Sequence, residues 1–77
     1  MKSVAMSTLM PGMRACIKSI DSKEDIRRRL LDLGMIENTV IECVGKSPLG
    51  DPAAYFVRGA VIVLRKSDSA DIKCIIE

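Results

Sequence analysis

The sequence contains no histidine and no tryptophan, and its only aromatic residues are Tyr55 and Phe56. Histidine is the commonest general acid and base near neutral pH, so its absence removes most catalytic constellations. Two aromatic side chains are too few for the base-stacking platforms on which single-strand nucleic-acid binders rely. We therefore expect a protein that binds a partner and is not an enzyme.

Signals for metal binding and disulfides are also sparse. Cys16, Cys43 and Cys74 are odd in number and widely spaced, unlike the disulfide framework of a small secreted domain. Without histidine or a Cys-x-x-Cys pair there is no recognisable soft-metal site, and no cofactor is expected. A metal site formed between two chains by Cys16 or surface carboxylates remains an alternative. We expect Cys43 and Cys74 to be buried, whereas Cys16 shares a strand face with Arg14 and Lys18 and is the cysteine to test for reactivity.

Size and charge limit the function further. At 77 residues the chain has room for one hydrophobic core and no second domain. Its formal net charge of +2 is too small to attract nucleic acid or an anionic membrane. Near the N-terminus, Val4 and Ala5 form only a short apolar pair before Met6, too little for a signal peptide or a membrane span. We expect a cytoplasmic protein with no nucleic-acid partner and no direct membrane insertion.

Apolar periodicity predicts a mostly β fold with one amphipathic helix. Ile26, Leu30 and Leu33 have the i, i+4, i+7 spacing of a helix face. A capping-box-like Ser22 precedes them, and Gly34 follows where a left-handed C-terminal cap is needed. The segments that predict strands, one before this helix and four after it, are residues 14–20, 40–44, 53–58, 61–65 and 72–76.

Five short strands would leave exposed edges in an open sheet, so we expect a small barrel with the helix at one end. The predicted domain covers residues 9–77, and residues 1–8 are expected to be a flexible N-terminus. Residues 67–71 predict a short helical turn before the last strand. Arg65 precedes this turn and is expected to stabilise it by pairing with Asp68 or Asp51.

Three consecutive arginines at residues 27–29 suggest phosphate or nucleic-acid binding at first sight. On a helix, however, Glu24 and Arg28 are an i, i+4 pair of opposite charge, and so are Asp25 and Arg29. This pattern favours a solvated helix face.

The proline-framed segment at residues 47–52 (SPLGDP) is the best candidate for a binding site. Its prolines fix the backbone, its glycine permits a tight turn, and Leu49 lies at or near the tip. A hairpin connection without a binding role explains the same residues equally well. Alternation along the following strand points Tyr55 and Val57 inward and Phe56 outward beside the loop. The predicted partner-binding residues are Pro48, Leu49, Gly50, Asp51, Pro52, Tyr55, Phe56 and Arg58.

Three segments occur in an order and spacing that resemble a known family: residues 29–35 (RLLDLGM), 47–52 (SPLGDP) and 63–66 (VLRK). Over residues 9–77 the chain resembles the FeoA (ferrous iron transport protein A) family and the related C-terminal domains of iron-dependent repressors. The resemblance implies an SH3-like five-stranded β-barrel with one α-helix between the first two strands. Where the family usually has Pro-Gly, this chain has Glu37-Asn38, and asparagine tolerates a left-handed backbone.

The same resemblance implies a cytosolic accessory role in ferrous iron uptake. The implied partner is a membrane ferrous iron transporter with its own GTPase domain, on whose cytoplasmic region the protein would dock. A regulatory module for another partner, such as a metal-dependent repressor, is the alternative. Self-association into a homo-oligomer is a competing use of the same surface.

Overall fold

The structure is a computed structural model that describes residues 2–77. Its elements are β1 (Ser3–Ala5), a 3-10 helix (Met6–Thr8), β2 (Arg14–Ile20), α1 (Glu24–Asp32), β3 (Val40–Lys46), β4 (Ala53–Val57), β5 (Ala60–Leu64), α2 (Lys66–Ser69) and β6 (Ile72–Ile76). Across the described residues, neither α-helix has the length and apolar character needed to cross a membrane.

The strands form one antiparallel sheet of six strands in the order β1-β6-β2-β3-β4-β5. All five predicted strands are present, and β1 is an additional one. The register of β2 against β6 shifts between Ile17 and Ser19, and that of β3 against β4 shifts between Cys43 and Gly45. Such irregularities bend a sheet and increase its twist. The five-stranded barrel is therefore corrected to a six-stranded sheet with β1 and β5 at its edges.

The N-terminal segment is part of the fold, and the domain boundary predicted at Leu9 is corrected accordingly. Val4 on β1 lies opposite Cys74 on β6. Met6 and Leu9 have no exposed surface, and the Lys46 ammonium donates a hydrogen bond to the Ser7 carbonyl at 3.1 Å. A three-residue strand is too short to show a period, which is why the sequence pattern did not reveal it.

The core combines buried residues of the strands with Leu30, the one buried residue of α1. Cys43 and Cys74 are fully buried, as predicted, and burial is the main cause that raises the pKa of the Cys74 thiol from 9.0 to about 11. The buried apolar residues are Met6, Leu9, Ala15, Ile17, Leu30, Met35, Ile41, Cys43, Ala53, Tyr55, Val57, Leu64, Ile72 and Cys74.

Helix α1 ends as predicted but begins differently. Gly34 has a φ of +104°, and the Met35 N–H donates to the Leu30 carbonyl at 3.1 Å, the hydrogen bond that defines a Schellman ending. At the other end, Lys23 is the N-cap residue and contributes no side-chain hydrogen bond. The Ser22 hydroxyl, predicted to cap the helix, is buried without a hydrogen-bond partner among residues 2–77.

The charged face of α1 is solvated, as predicted. Of the two predicted i, i+4 ion pairs, one forms and the other does not. Arg28 lies 3.8 Å from Glu24, the expected i, i+4 pair. Arg29 does not pair with Asp25 and instead contacts Asp68 of α2 at 3.3 Å. This contact links the two α-helices across the surface, and it is worth only ~0.5 kcal/mol because Arg29 is largely exposed.

Candidate functional site

The loop between β3 and β4, residues 47–52, is held by its own hydrogen bonds. The Gly50 N–H donates to the Ser47 carbonyl at 2.8 Å, and the Ser47 N–H donates to the Pro52 carbonyl at 3.0 Å. The Ser47 hydroxyl donates to the Asp51 carbonyl at 2.7 Å. Gly50 has a φ of +84°, which glycine adopts without strain. The backbone of the loop is therefore fixed before any partner arrives.

Leu49 stands at the tip of this loop with 94% of its surface exposed. A single exposed leucine is common on protein surfaces and has no meaning by itself. Here the hydrogen bonds of the loop hold the backbone around Leu49 in one conformation, so little backbone entropy is lost when a partner covers the side chain. Leu49 is thus a preformed apolar anchor.

The loop is also attached to α2, through a contact that differs from the predicted one. The Asp51 Oδ1 accepts a hydrogen bond from the Lys66 N–H at 2.9 Å. Asp68 pairs with Arg29, and among the described residues Arg65 forms no ion pair with either predicted carboxylate. The prediction for Arg65 is wrong: a backbone amide, not the guanidinium, binds Asp51.

An apolar strip continues from the loop along the outer face of β4 and β5. Phe56 lies opposite Val61, and Ala54 lies opposite Val63. Phe56, Val61 and Val63, which we call the outer strip, are 45%, 60% and 62% exposed. A shallow groove of about 330 Å³ joins the strip to the loop and is lined by Gly45, Lys46, Ser47, Pro52, Ala53, Ala54 and Val63.

The structure separates the predicted site residues into two groups. Pro48, Leu49 and Gly50 are exposed together in the loop. Phe56 faces outward as predicted, but it lies three residues along β4 from Ala53, about 10 Å at the rise of a strand. The groove reaches the outer strip at Val63 and not at Phe56, so Phe56 lies apart from the loop.

Two predicted residues have other roles. Tyr55 is fully buried, and its hydroxyl donates to the Met6 carbonyl at 3.5 Å. Burial, partly opposed by a hydrogen bond with Ser69, raises the pKa of Tyr55. Its assignment to the binding surface is wrong, because strand alternation turns the ring into the core. Arg58 occupies the β4–β5 turn with a φ of +51°, and its Cδ lies 3.4 Å from the position a Cβ would take on Gly34.

A second groove, of about 280 Å³, lies between β2 and α1. Sequence reasoning missed it because its walls come from β2, from α1 and from the turn after α1, and no local motif encodes their juxtaposition. Met35 and Ile36 line it together with Lys18, Arg27 and Glu37. Because the groove carries charges of both signs, it does not present a uniformly positive or negative potential to a ligand.

The structure places no metal-binding cluster in the part of the chain it describes: residues 2–77 bring no three cysteine or carboxylate side chains together. The three cysteines are free. Cys16 is half-buried, and its thiol lies 3.9 Å from the Ile17 carbonyl.

Comparison with known proteins gives one family. The profile of the FeoA domain matches residues 4–75. A fusion protein of Porphyromonas gingivalis (strain ATCC BAA-308 / W83), Fe(2+) transport protein A joined to the Fe(2+) transporter FeoB, is 31% identical over 68 residues. The match covers 88% of this chain and 8% of the fusion protein, so the chain spans less than a tenth of that relative.

Solved structures show the same fold. A FeoA-like protein from Clostridium acetobutylicum has a TM-score of 0.90 and 30% identity over 99% of this chain and 88% of its own. FeoA of Stenotrophomonas maltophilia in complex with zinc, an SH3 domain protein, has a TM-score of 0.77 and 25% identity over 94% and 87%. IdeR of T. acidophilum, at 22% identity, has a TM-score of 0.86 over 100% of this chain and 35% of its own, which shows the fold alone. The predicted SH3-like fold is confirmed.

Proposed function

Because the match over residues 4–75 shows that the chain belongs to the FeoA domain family, we propose that it is a cytoplasmic accessory protein of ferrous iron uptake. Its partner is a membrane ferrous iron transporter, and it docks on the cytoplasmic GTPase region of that transporter. The fusion of transport protein A with the transporter FeoB in P. gingivalis supports this partner. Two domains fused in one chain meet at a high effective concentration, which suits a pair that acts together.

The observation that carries the proposed docking site is the rigid loop with an almost fully exposed leucine at its tip. Full burial of a leucine side chain is worth about 2 kcal/mol, or roughly 30-fold in affinity. Pro48, Gly50 and Pro52 shape the loop around Leu49, and Asp51 attaches it to α2. Phe56 on β4 and Arg58 in the β4–β5 turn extend the surface, whereas the buried Tyr55 takes no part.

A direct binding assay tests this function. The partner is the purified cytoplasmic GTPase region of the ferrous iron transporter from the same organism, and calorimetry measures its affinity for this protein. We expect wild-type protein to bind and Leu49→Asp to bind at least tenfold more weakly. Unfolding midpoints should stay equal, because Leu49 makes few contacts within the fold.

Ile36→Asp is the matched control, since it places the same charge at another exposed apolar residue, 43% exposed. It should bind like the wild type. No binding of the wild type would refute the partner, and equal binding of Leu49→Asp would refute the docking site. Binding to a repressor instead of the transporter would favour the regulatory alternative, and a stable oligomer that buries Leu49 would favour self-association.

A further inference from the structure

Strand β5 is an edge strand made only of apolar residues, Ala60–Leu64 (AVIVL). Within residues 2–77 it pairs with β4 and has no strand on its other side. Such an edge presents unpaired backbone groups and readily accepts another strand.

The hairpin geometry determines which backbone groups face the open side. Val57 and Ala60 close the two-residue turn between β4 and β5 and therefore form a hydrogen-bonded pair. Pairs alternate along an antiparallel ladder, so Val61 and Val63 occupy non-hydrogen-bonded positions. Their N–H and C=O groups point away from β4, and neither residue bonds to a loop, turn or helix within the described chain.

This edge lacks the features that usually protect one. Natural edge strands carry charges, prolines or bulges, or they are very short. The other edge, β1, is only three residues long and follows Lys2. In contrast, β5 has five residues, no charge, no proline and no register shift against β4.

The charges at the two ends of β5 indicate what the edge accepts. Arg58 precedes the strand, and Arg65 and Lys66 follow it, all exposed. Antiparallel pairing of two copies about Ile62 would bring Arg58 of each copy, just before β5, towards Arg65 and Lys66 of the other copy, just after it. Like charges directly opposite each other destabilise a strand pair. The edge is thus complementary to a foreign strand with acidic ends and less suited to a second copy.

We propose that β5 binds an extended segment of the partner as an additional strand. This segment has about five residues, apolar β-branched side chains that face Val61 and Val63, and an acidic residue at each end. The inference rests on the proposed function for the identity of the partner, but not for the chemistry of the segment. Leu49 and the outer strip would then contact the same partner on either side of the groove.

Two variants of Val63 test the edge directly, one that alters its backbone and one that does not. Val63→Pro removes an outward N–H while leaving the hydrogen bonds to β4 intact, since the Val63 N–H does not point to β4. Val63→Thr keeps the N–H and nearly the same shape, and is the matched control. We expect Val63→Pro to bind the GTPase region of the transporter at least tenfold more weakly than Val63→Thr, with both variants folded by circular dichroism.

A synthetic peptide separates this inference from the proposed function. Its seven residues alternate threonine and valine between acidic ends, and a second peptide has lysine at both ends. In NMR titrations we expect the acidic peptide to shift the Val61 and Val63 amide signals and to bind at least tenfold more tightly than the basic one. Peptide binding without transporter binding would refute only the proposed function.

The edge inference is overturned if neither peptide shifts these two amides, or if the transporter binds Val63→Pro and Val63→Thr equally. A dimer seen by analytical ultracentrifugation that Val63→Pro dissociates would also overturn it, because β5 would then pair with a second copy.

Discussion

The backbone N–H of Lys66 donates a hydrogen bond to the Oδ1 of Asp51 at 2.9 Å, across 15 positions of the sequence. Lys66 is the first residue of α2, where backbone N–H groups have no partner within the helix. The Asp51 carboxylate therefore accepts the hydrogen bond of an otherwise unpaired N–H at the start of α2. The same contact fixes the base of the loop that presents Leu49.

We predict that Asp51→Ala lowers the free energy of unfolding by about 1.5 to 3 kcal/mol, the usual contribution of a hydrogen bond to a charged group. Asp51→Asn keeps an oxygen acceptor and should lose less than half of that amount. Urea denaturation measures both, and amide hydrogen exchange at Lys66 should accelerate only in the alanine variant. An equal loss in both variants would mean that charge, and not this hydrogen bond, holds the loop.

The N-terminal segment gives a second prediction. Met6 has no exposed surface although it lies in a segment that the sequence indicated to be flexible. Met6→Ala should cost about 2 to 4 kcal/mol, because it removes buried methylene groups and leaves a cavity. Lys2→Ala, at an exposed position, should leave the urea midpoint unchanged. If Met6→Ala also left the urea midpoint unchanged, the segment would not be part of the core.

The helix ending gives a third prediction. At Gly34, with a φ of +104°, alanine should cost about 1 to 2 kcal/mol, because a Cβ is unfavourable in the left-handed region. Gly45→Ala is the control, since Gly45 lacks a positive φ and a Cβ there would meet nothing within 4 Å. Thermal unfolding compares the two variants. A loss at Gly45 as large as that at Gly34 would refute the backbone explanation.

Local backbone requirements were the part of the fold that the sequence predicted best. Gly34 ends α1 in the predicted geometry, and Asn38 has the left-handed φ, +72°, expected where the family usually has glycine. Such positions depend only on a few adjacent residues. Strand alternation similarly predicted the burial of Cys43 and Cys74, because the period of two is a property of each strand alone.

Contacts between distant segments could not be predicted in the same way. Arg29 has an acidic neighbour four residues away in the sequence, yet it binds Asp68, 39 positions away. The apolar run of β5 predicted a strand but not its exposure, because a continuous apolar run is typical of strands buried on both faces. Val61 and Val63 are nevertheless more than half exposed, since β5 forms the edge of the sheet.

Alkaline pH should destabilise the protein through Cys74. Burial, with a smaller effect from the charge of Cys16, raises the pKa of this thiol from 9.0 to about 11. As the pH rises above 9 the unfolded chain loses the proton first, so the folded state binds more protons and its stability falls. The stabilisation is fully present below pH 9 and declines up to about pH 11, by about 2 to 3 kcal/mol in total. The raised pKa of Tyr55 acts in the same direction from pH 10 upward.

Urea denaturation at pH 7, 9, 10 and 11 measures this decline. Cys74→Ala should be less stable than the wild type at pH 7, because it leaves a small cavity, but its stability should fall less steeply above pH 9. Cys16→Ala keeps the buried thiol and should retain most of the wild-type slope. Parallel pH profiles for Cys74→Ala and the wild type would show that another group causes the alkaline loss, and Tyr55→Phe would then identify whether it is the buried phenol.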